Sequence, residues 1–345
     1  MEGIAIGFLF SFRNPAHEER AAAIIREAYP HLFVSLSSVV DPAFREYERT
    51  VVTALDAYIK PVVDAYLTHL RDGLKAGGVT STLQIMQSRG GIAESNAAQL
   101  RPVRLFLSGP AAGVIGAQNA GVQDGIDDLI SVDIGGTSSD ISLIRARRPM
   151  VRPEGLVAGY NVRVPMVDVN AIGSGGGSIA WLDSAGGLRV GPHSAGSEPG
   201  PACYNRGGTM PTVTDASIVL GYIDPAYFAG GRFKLDPALA HQAIKEKIAD
   251  PLGPSVTDAA LGIHRVVTAQ MAEGIRLVSV RQGFDPRDFT LLPLGGSGGI
   301  HACALAEELG IRRILLAPHP GVLSAIGLLR VMQQTLAGAA ARVKP

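Results

Sequence analysis

The sequence predicts an α/β fold. Apolar runs of strand length alternate with helical patterns from residue 102 onward. No internal repeat is present, and the one low-complexity stretch is an Ala-rich segment at 337–341. With 345 residues and 46% hydrophobic content, the chain can bury a sizeable core and exceeds a usual single domain, so two lobes are expected.

The apolar run 3–10 (GIAIGFLF) follows a single charge, Glu2, and no small-residue cleavage site precedes Arg13. That argues for a buried strand rather than a signal peptide, and its abrupt start suggests a chain beginning mid-domain. Asn14-Pro15 makes a turn, residues 16–28 a helix and 32–36 a strand. From 42 to 76 apolar residues recur at helical spacing, with Pro61 predicting two helices or one kinked helix and Gly77-Gly78 closing the stretch. Residues 82–86 read as a strand ending at Arg89-Gly90-Gly91, 103–107 as another strand, and 108–120 as a Gly/Ala-rich helix. Strands at 129–133 and 141–144 are joined by a Gly-rich turn. Residues 150–211 are rich in Gly and Pro, with a hairpin (179–183 and 188–190) around Ala185-Gly186-Gly187. Helices follow at 213–221, 237–249 and 256–281, the last opened by Ser255-x-x-Asp258 as a capping box. A strand at 289–294, a helix at 299–309, a strand at 313–316 and a helix at 321–336 complete the pattern.

Lys+Arg and Asp+Glu both number 31, so the chain lacks the excess of positive charge that a nucleic acid or an anionic membrane surface selects. Two cysteines, Cys203 and Cys303, are too few for a disulfide framework and point to a reducing, cytoplasmic compartment. No apolar run reaches the ~18 residues of a membrane span.

Three glycine-rich segments carry the chemistry. In 131–144 (SVDIGGTSSDISLI) a strand delivers Asp133, Gly135-Gly136 turn, and Thr137, Ser138 and Ser139 precede the return strand. The glycines let amides approach an anion, the hydroxyls add donors, and Asp133 can hold a hydrated divalent cation. A plain hairpin would explain the glycines alone; the acid before them and the hydroxyls after them favour phosphate. In 292–305 (LPLGGSGGIHACAL) a strand runs through Gly295, Gly296, Ser297, Gly298 and Gly299 into a helix, placing free amides at a helix N-terminus. Close strand–helix packing is the bland alternative there. Ser297 also matches the G-x-S-x-G elbow, but no Asp follows it, which removes the serine-hydrolase reading. In 168–178 (DVNAIGSGGGS) Asp168 precedes Gly175, Gly176 and Gly177, and the long loop 191–209 follows as a candidate substrate-facing segment. His193 and Cys203 are too few for a metal site, and His301 reads as a capping or packing residue. Neither Gly-Lys of a Walker A motif nor a G-x-G-x-x-G after a strand occurs.

Taken in chain order, EYERTVVTALDAYIKP, LQIMQSRGG, LSGPAAGVIGA, SVDIGGTSSDISLI, DVNAIGSGGGSIAWLD, SAGSEPGPACYNRGG, PTVTDASIVLG, GGSGGIHACALAEELGI and GVLSAIGLL cover nearly the whole chain. In these stretches the sequence resembles the hydantoinase A/5-oxoprolinase family of the actin-like ATPase superfamily. The resemblance implies an ATP site between two lobes, each built on a ribonuclease H-like sheet. It assigns residues 133–140, with Gly135, Gly136, Thr137, Ser138 and Asp140, to the second phosphate hairpin, and Gly295 to Gly299 to the adenosine loop. Asp133 would be the catalytic carboxylate and the ligand of Mg²⁺. Asp168, Gly175, Gly176, Gly177 and Asp215 would border the substrate, with Asp215 also placed to be only a helix cap. The implied activity is ATP-dependent opening of a small cyclic amide, hydantoin or 5-oxoproline, by phosphorylation of its carbonyl oxygen. A B-type subunit or domain completes the hydrolysis. The alternatives are the ATP-using subunit of an acetone- or acetophenone-type carboxylase and a truncated, non-catalytic remnant.

The departures from the family pattern are specific. Only one D-x-G-G-T hairpin is present, the region that normally follows the GVLSA helix is replaced by LAGAAARVKP, and Gly299-Ile300 stands where the family tends to have Pro-Leu. The expected architecture is therefore an incomplete two-lobe one. Residues 1–48 would be a remnant of an N-terminal domain, 49–335 the hydantoinase A domain and 336–345 a tail. Such a chain is expected to bind nucleotide weakly and turn over little substrate alone. Its two glycine loops, 133–140 and 295–299, should face each other across a cleft at about 10–15 Å.

Overall fold

The computed structural model describes residues 2–157 and 159–342. The chain divides into two compact units, one of residues 1–112, 151–168 and 328–345, the other of residues 113–150 and 169–327.

In the first unit, strands Gly3–Ile6 and Phe33–Leu36 pair in parallel, connected by the helix Ala16–Ala28 as the apolar runs predict. The first strand ends at Ile6, short of the expected Phe10. Buried Glu18 accepts from the amides of Phe8 and Ser38 and from the hydroxyls of Ser37 and Ser38, which draws residues 8–13 into a turn. The stretch interrupted by Pro61 is a single helix, Glu46–Ala76. Proline at 61 has no N–H for the carbonyl of Ala57, four residues back. That carbonyl lies against Gly3, where a Cβ would sit 2.6 Å from the oxygen, so glycine is the residue the close approach permits. The expected strand at 103–107 is instead a 3₁₀ turn, Pro102–Leu105, followed by Leu107 at φ +55°. Pro102 opens it with a φ already suited to a helical turn and cannot donate to a sheet. Val40, Val52, Val103, Val162, Val164 and Met166 form the core beneath.

The second unit is built on one sheet. Its order is Val169–Ile172, Ser139–Arg145, Leu129–Ile134 and Thr290–Leu294, with the first three antiparallel and the fourth parallel to Leu129–Ile134. A parallel bridge from Leu291 to Ile314 marks a fifth position, where the expected strand at 313–316 reduces to a single bridge. Three antiparallel strands extended by parallel ones beside the first is the order of a ribonuclease H-like sheet. The helix Val256–Arg281 starts at Ser255, whose hydroxyl accepts from the Asp258 amide, and lays Ile263, Val267, Met271 and Ile275 into one core with Ile130, Val132, Ile141 and Leu143 of the sheet. The expected helix at 237–249 is Pro237–Ile244 followed by a π turn, Lys245–Ala249. The last helix, Leu323–Arg342, extends beyond residue 336 into the expected tail, whose residues 343–345 lie outside the described residues. Among the described residues no helix is long and apolar enough to cross a membrane.

Candidate functional site

The glycines of all three segments belong to the second unit, and two of the segments are joined to the third by backbone hydrogen bonds. The turn between Leu129–Ile134 and Ser139–Arg145 closes with the Gly135 amide donating to Ser138 O at 3.0 Å. Its outward carbonyls accept from the next segment: Gly176 N donates to Gly135 O at 3.0 Å and Gly177 N to Gly136 O at 2.6 Å. A Cβ on Gly175 would lie 2.8 Å from Gly135 O and 2.9 Å from Ser138 N, so any side chain there would push the two turns apart. The third loop joins through Ser297 N, which donates to Ile134 O at 3.0 Å. The loops expected across a cleft of 10–15 Å are thus in direct contact at their bases and diverge only at their tips.

Between the tips lies a cavity of about 620 Å³, lined on one side by Gly135, Gly136, Gly176, Gly177, Gly296 and Ser297. Its other wall, formed by Tyr204, Tyr222, Tyr227 and Phe228 among others, was not legible in the sequence. The aromatic density of GYIDPAYFAGG (221–231) is the one signal that could have marked it. Gly196 and Pro201 place the long loop 191–209 on the same cavity. The amides of Gly136 and Thr137 donate to no protein acceptor among the described residues, and the helix Gly298–Leu309 starts at Ser297 without a side-chain cap. At the helix N-terminus Gly298 N donates to Gly295 O and Ile300 N to Ser297 O, leaving the Gly299 amide without an acceptor among the described residues; free amides at the turn tip and there attract an anion. A glycine floor with an aromatic wall suits a ligand that is anionic at one end and flat at the other.

Asp133 and Asp140 face each other as cross-strand partners at the base of the turn. Burial raises the Asp133 pKa above its ordinary value. Burial and then the Asp133 charge push Asp140 up to about 6. Two partly buried carboxylates with no basic side chain paired to either, among the described residues, form an acceptor-only pair that a hard divalent cation would neutralise. The pair therefore fits a hard divalent cation such as Mg²⁺. No group of three or more His, Cys, Asp or Glu side chains with metal-binding geometry occurs among the described residues.

Other expected site residues lie elsewhere. Asp215 is fully buried and caps the helix Val213–Val219 in a capping box with Thr212. It accepts from Thr212 N and Oγ1, both at 2.8 Å, from Cys203 N at 2.8 Å and from Ala202 N at 3.2 Å. It is the cap rather than a substrate contact, and it anchors the long loop to the helix. Asp168 belongs to the first unit and pairs with Arg152 at 3.4 Å. Gly298 packs on Pro293, and Gly299 has open space around it without lining the cavity. His301 is 1% exposed, has neither ring nitrogen hydrogen-bonded and stacks on His264 with centroids 4.9 Å apart. It packs in the interior, as expected; burial, followed by the His264 charge, takes its pKa down to about 3.

The family profile described as Hydantoinase/oxoprolinase matches residues 49–334. Caprolactamase subunit alpha of Pseudomonas jessenii is 42% identical over 95% of this chain and 47% of its own length. Acetophenone carboxylase gamma subunit of Aromatoleum aromaticum is 39% identical over 94% of this chain and 45% of its own. The nucleotide-free structure of acetone carboxylase, solved to follow ATP-dependent acetone carboxylation, superposes with a TM-score of 0.82 at 32% identity, covering 94% of this chain and 46% of that one. The chain spans about half the length of these relatives. It belongs to the hydantoinase/oxoprolinase family.

Proposed function

We propose that the chain forms the ATP-using part of an enzyme that opens a small cyclic amide, hydantoin or 5-oxoproline, in the cytoplasm. The observation that carries this reading is the meeting of three glycine loops on one cavity beside the Asp133–Asp140 pair. In the reaction, the amide carbonyl oxygen takes the terminal phosphoryl group and ADP leaves. Water then adds to the activated carbon, the ring C–N bond breaks as nitrogen takes a proton, and a second water displaces inorganic phosphate from the acyl phosphate so formed.

The chain's residues act at the phosphoryl end. The amides of Gly136 and Thr137 and the N-terminus of the helix Gly298–Leu309 bind phosphate oxygens as fixed donors. Asp133 and Asp140 would hold Mg²⁺, and its charge would offset the negative charge of the transferring group. Tyr222, Tyr227 and Ile300 supply an apolar face for a nucleobase. A B-type subunit is the proposed partner for the hydrolytic step. The naming of several relatives as subunits supports that assembly.

A second reading, the ATP-using subunit of a ketone carboxylase, is favoured by the 39% identity to the acetophenone carboxylase gamma subunit. One experiment separates the two. ADP release is measured with hydantoin, 5-oxoproline, caprolactam, or acetone plus bicarbonate, with and without a B-type subunit. Amide-dependent ADP release that disappears in Asp133→Ala supports the proposal. Release that requires a ketone replaces it with the second reading, and failure of wild type to bind a fluorescent ATP analogue rejects both.

A further inference from the structure

The first unit carries a second concave site with its own chemistry. The strands Gln84–Met86 and Ile92–Glu94 form a hairpin whose turn closes by Gly90 N donating to Gln87 O at 3.0 Å and Gln87 N to Gly91 O at 2.8 Å. Ser88, 1% exposed, clamps this turn to the 3₁₀ segment: its amide and its hydroxyl both donate to Arg104 O, at 2.8 and 2.7 Å. Ser88 O in turn accepts from Val167 N at 2.8 Å. The clamp brings Arg89 and Arg104 onto one small pocket, about 110 Å³, lined also by Gln87, Val164 and Pro165.

Positive charge collects there without being neutralised. Among the described residues none of the guanidinium groups of Arg89, Arg101 and Arg104 pairs with a carboxylate. Asp41 and Asp56 act on Arg104 only from a distance and are engaged elsewhere, Asp41 with Arg163 at 2.7 Å and Asp56 with Lys60 at 3.1 Å. Burial, then Arg101, then Arg89, lower the Arg104 pKa. One residue before the pocket-lining Val164, Arg163 keeps its Nη2 buried with no hydrogen-bond partner. Arg89 and Arg104 thus hold like charges at the exposed rim of the pocket, which an anion seated there would offset.

We propose that this arginine pocket binds a small oxyanion, a carboxylate or a phosphate group, through paired guanidinium hydrogen bonds. Size selects the class: at about 30 Å³ per water, 110 Å³ holds roughly four waters, enough for one such group and too little for a nucleoside. Guanidinium forks match the two oxygens of a carboxylate or phosphate and discriminate against neutral ligands. The site stands independently of the nucleotide reading.

Calorimetric titration of the full chain tests it, using sodium phosphate, sodium acetate and 5-oxoproline at constant ionic strength in chloride, with caprolactam as the neutral control. Saturable binding of one or more of the three anions is expected, at least about tenfold weaker in Arg104→Gln and in Arg89→Gln, and unchanged in Arg20→Gln on the exposed helix. Without anion, Arg104→Gln should melt at or above the wild-type temperature, because relief of repulsion replaces a lost ligand contact; a merely structural arginine would lower it. Preference for phosphate identifies a phosphoryl-bearing ligand, and preference for acetate and 5-oxoproline a carboxylate. No saturable anion binding, or binding unchanged in both variants, overturns the proposal. Should Arg104→Gln fail to fold, Arg89→Gln in the exposed turn still decides it.

Discussion

Replacing Asp140 by Asn should make the apo-protein more stable at neutral pH, which is the reverse of what losing a structural carboxylate does. The side chain sits directly across the strand pair from Asp133, where neighbouring Cβ atoms are about 4.5–5.5 Å apart. Burial and the Asp133 charge hold its proton up to about pH 6, against an ordinary value of 3.8. Two pH units correspond to about 3 kcal/mol, and partial solvation of the turn reduces this to roughly 1–2 kcal/mol. The folded state binds this proton more tightly than the unfolded one. The favourable contribution is therefore complete below pH 3.8 and is lost as pH rises to about 6. Urea unfolding of wild type and Asp140→Asn at pH 4 and 7.5 reads the effect. The variant should gain roughly 1–2 kcal/mol at pH 7.5 and little at pH 4, while Mg²⁺ should stabilise wild type more than the variant. A variant less stable than wild type at pH 7.5, or a difference that does not change with pH, would show that the two carboxylates do not oppose each other.

Two further perturbations probe the frame around the cavity. Asp215→Ala removes the acceptor shared by Ala202, Cys203 and Thr212 and should cost roughly 3–5 kcal/mol in urea unfolding, with easier proteolysis of the 191–209 loop; a cost below about 1 kcal/mol would return Asp215 to the candidate substrate residues. His301→Phe keeps a ring against His264 and removes a group whose folded pKa is depressed to about 3, so stability lost by wild type as pH falls from 6.5 should shrink by about 2 kcal/mol at pH 5, measured relative to pH 7.5.

What could be read from the sequence divides along a physical line. The helix Val256–Arg281 and the strands Leu129–Ile134 and Thr290–Leu294 announce themselves through periodicity, because each buries one face or both in a single core. Pro102 and Pro61 each leave the local pattern open. The first starts a helical turn where an apolar run suggested a strand. The second sits inside one continuous helix, one of the two outcomes its pattern allows, with Gly3 packed close against the Ala57 carbonyl. Neither outcome is local. The aromatic wall 222–229 leaves only its aromatic density as a signal for a related reason: an irregular segment has no period, and its role depends on what the fold brings opposite it.

The glycine loops were legible for the converse reason. A site made of backbone leaves its trace as missing side chains, since a Cβ on Gly175 or Gly177 would lie 2.8–2.9 Å from a backbone oxygen of the neighbouring turn. Carboxylates leave no such trace of purpose. Asp133, Asp168 and Asp215 each lie near glycines in sequence, yet one faces a like charge, one pairs with Arg152 and one caps a helix. Their electrostatic surroundings separate them: Asp168 has its cation and Asp215 its four donors, so the charge of each is compensated within the fold. Asp133 and Asp140 are compensated by neither. An uncompensated acid pair beneath the free amides of Gly136 and Thr137 is an arrangement that a bound cation and an anion together would relieve, and this supports the proposal that phosphate binds at the 133–140 turn.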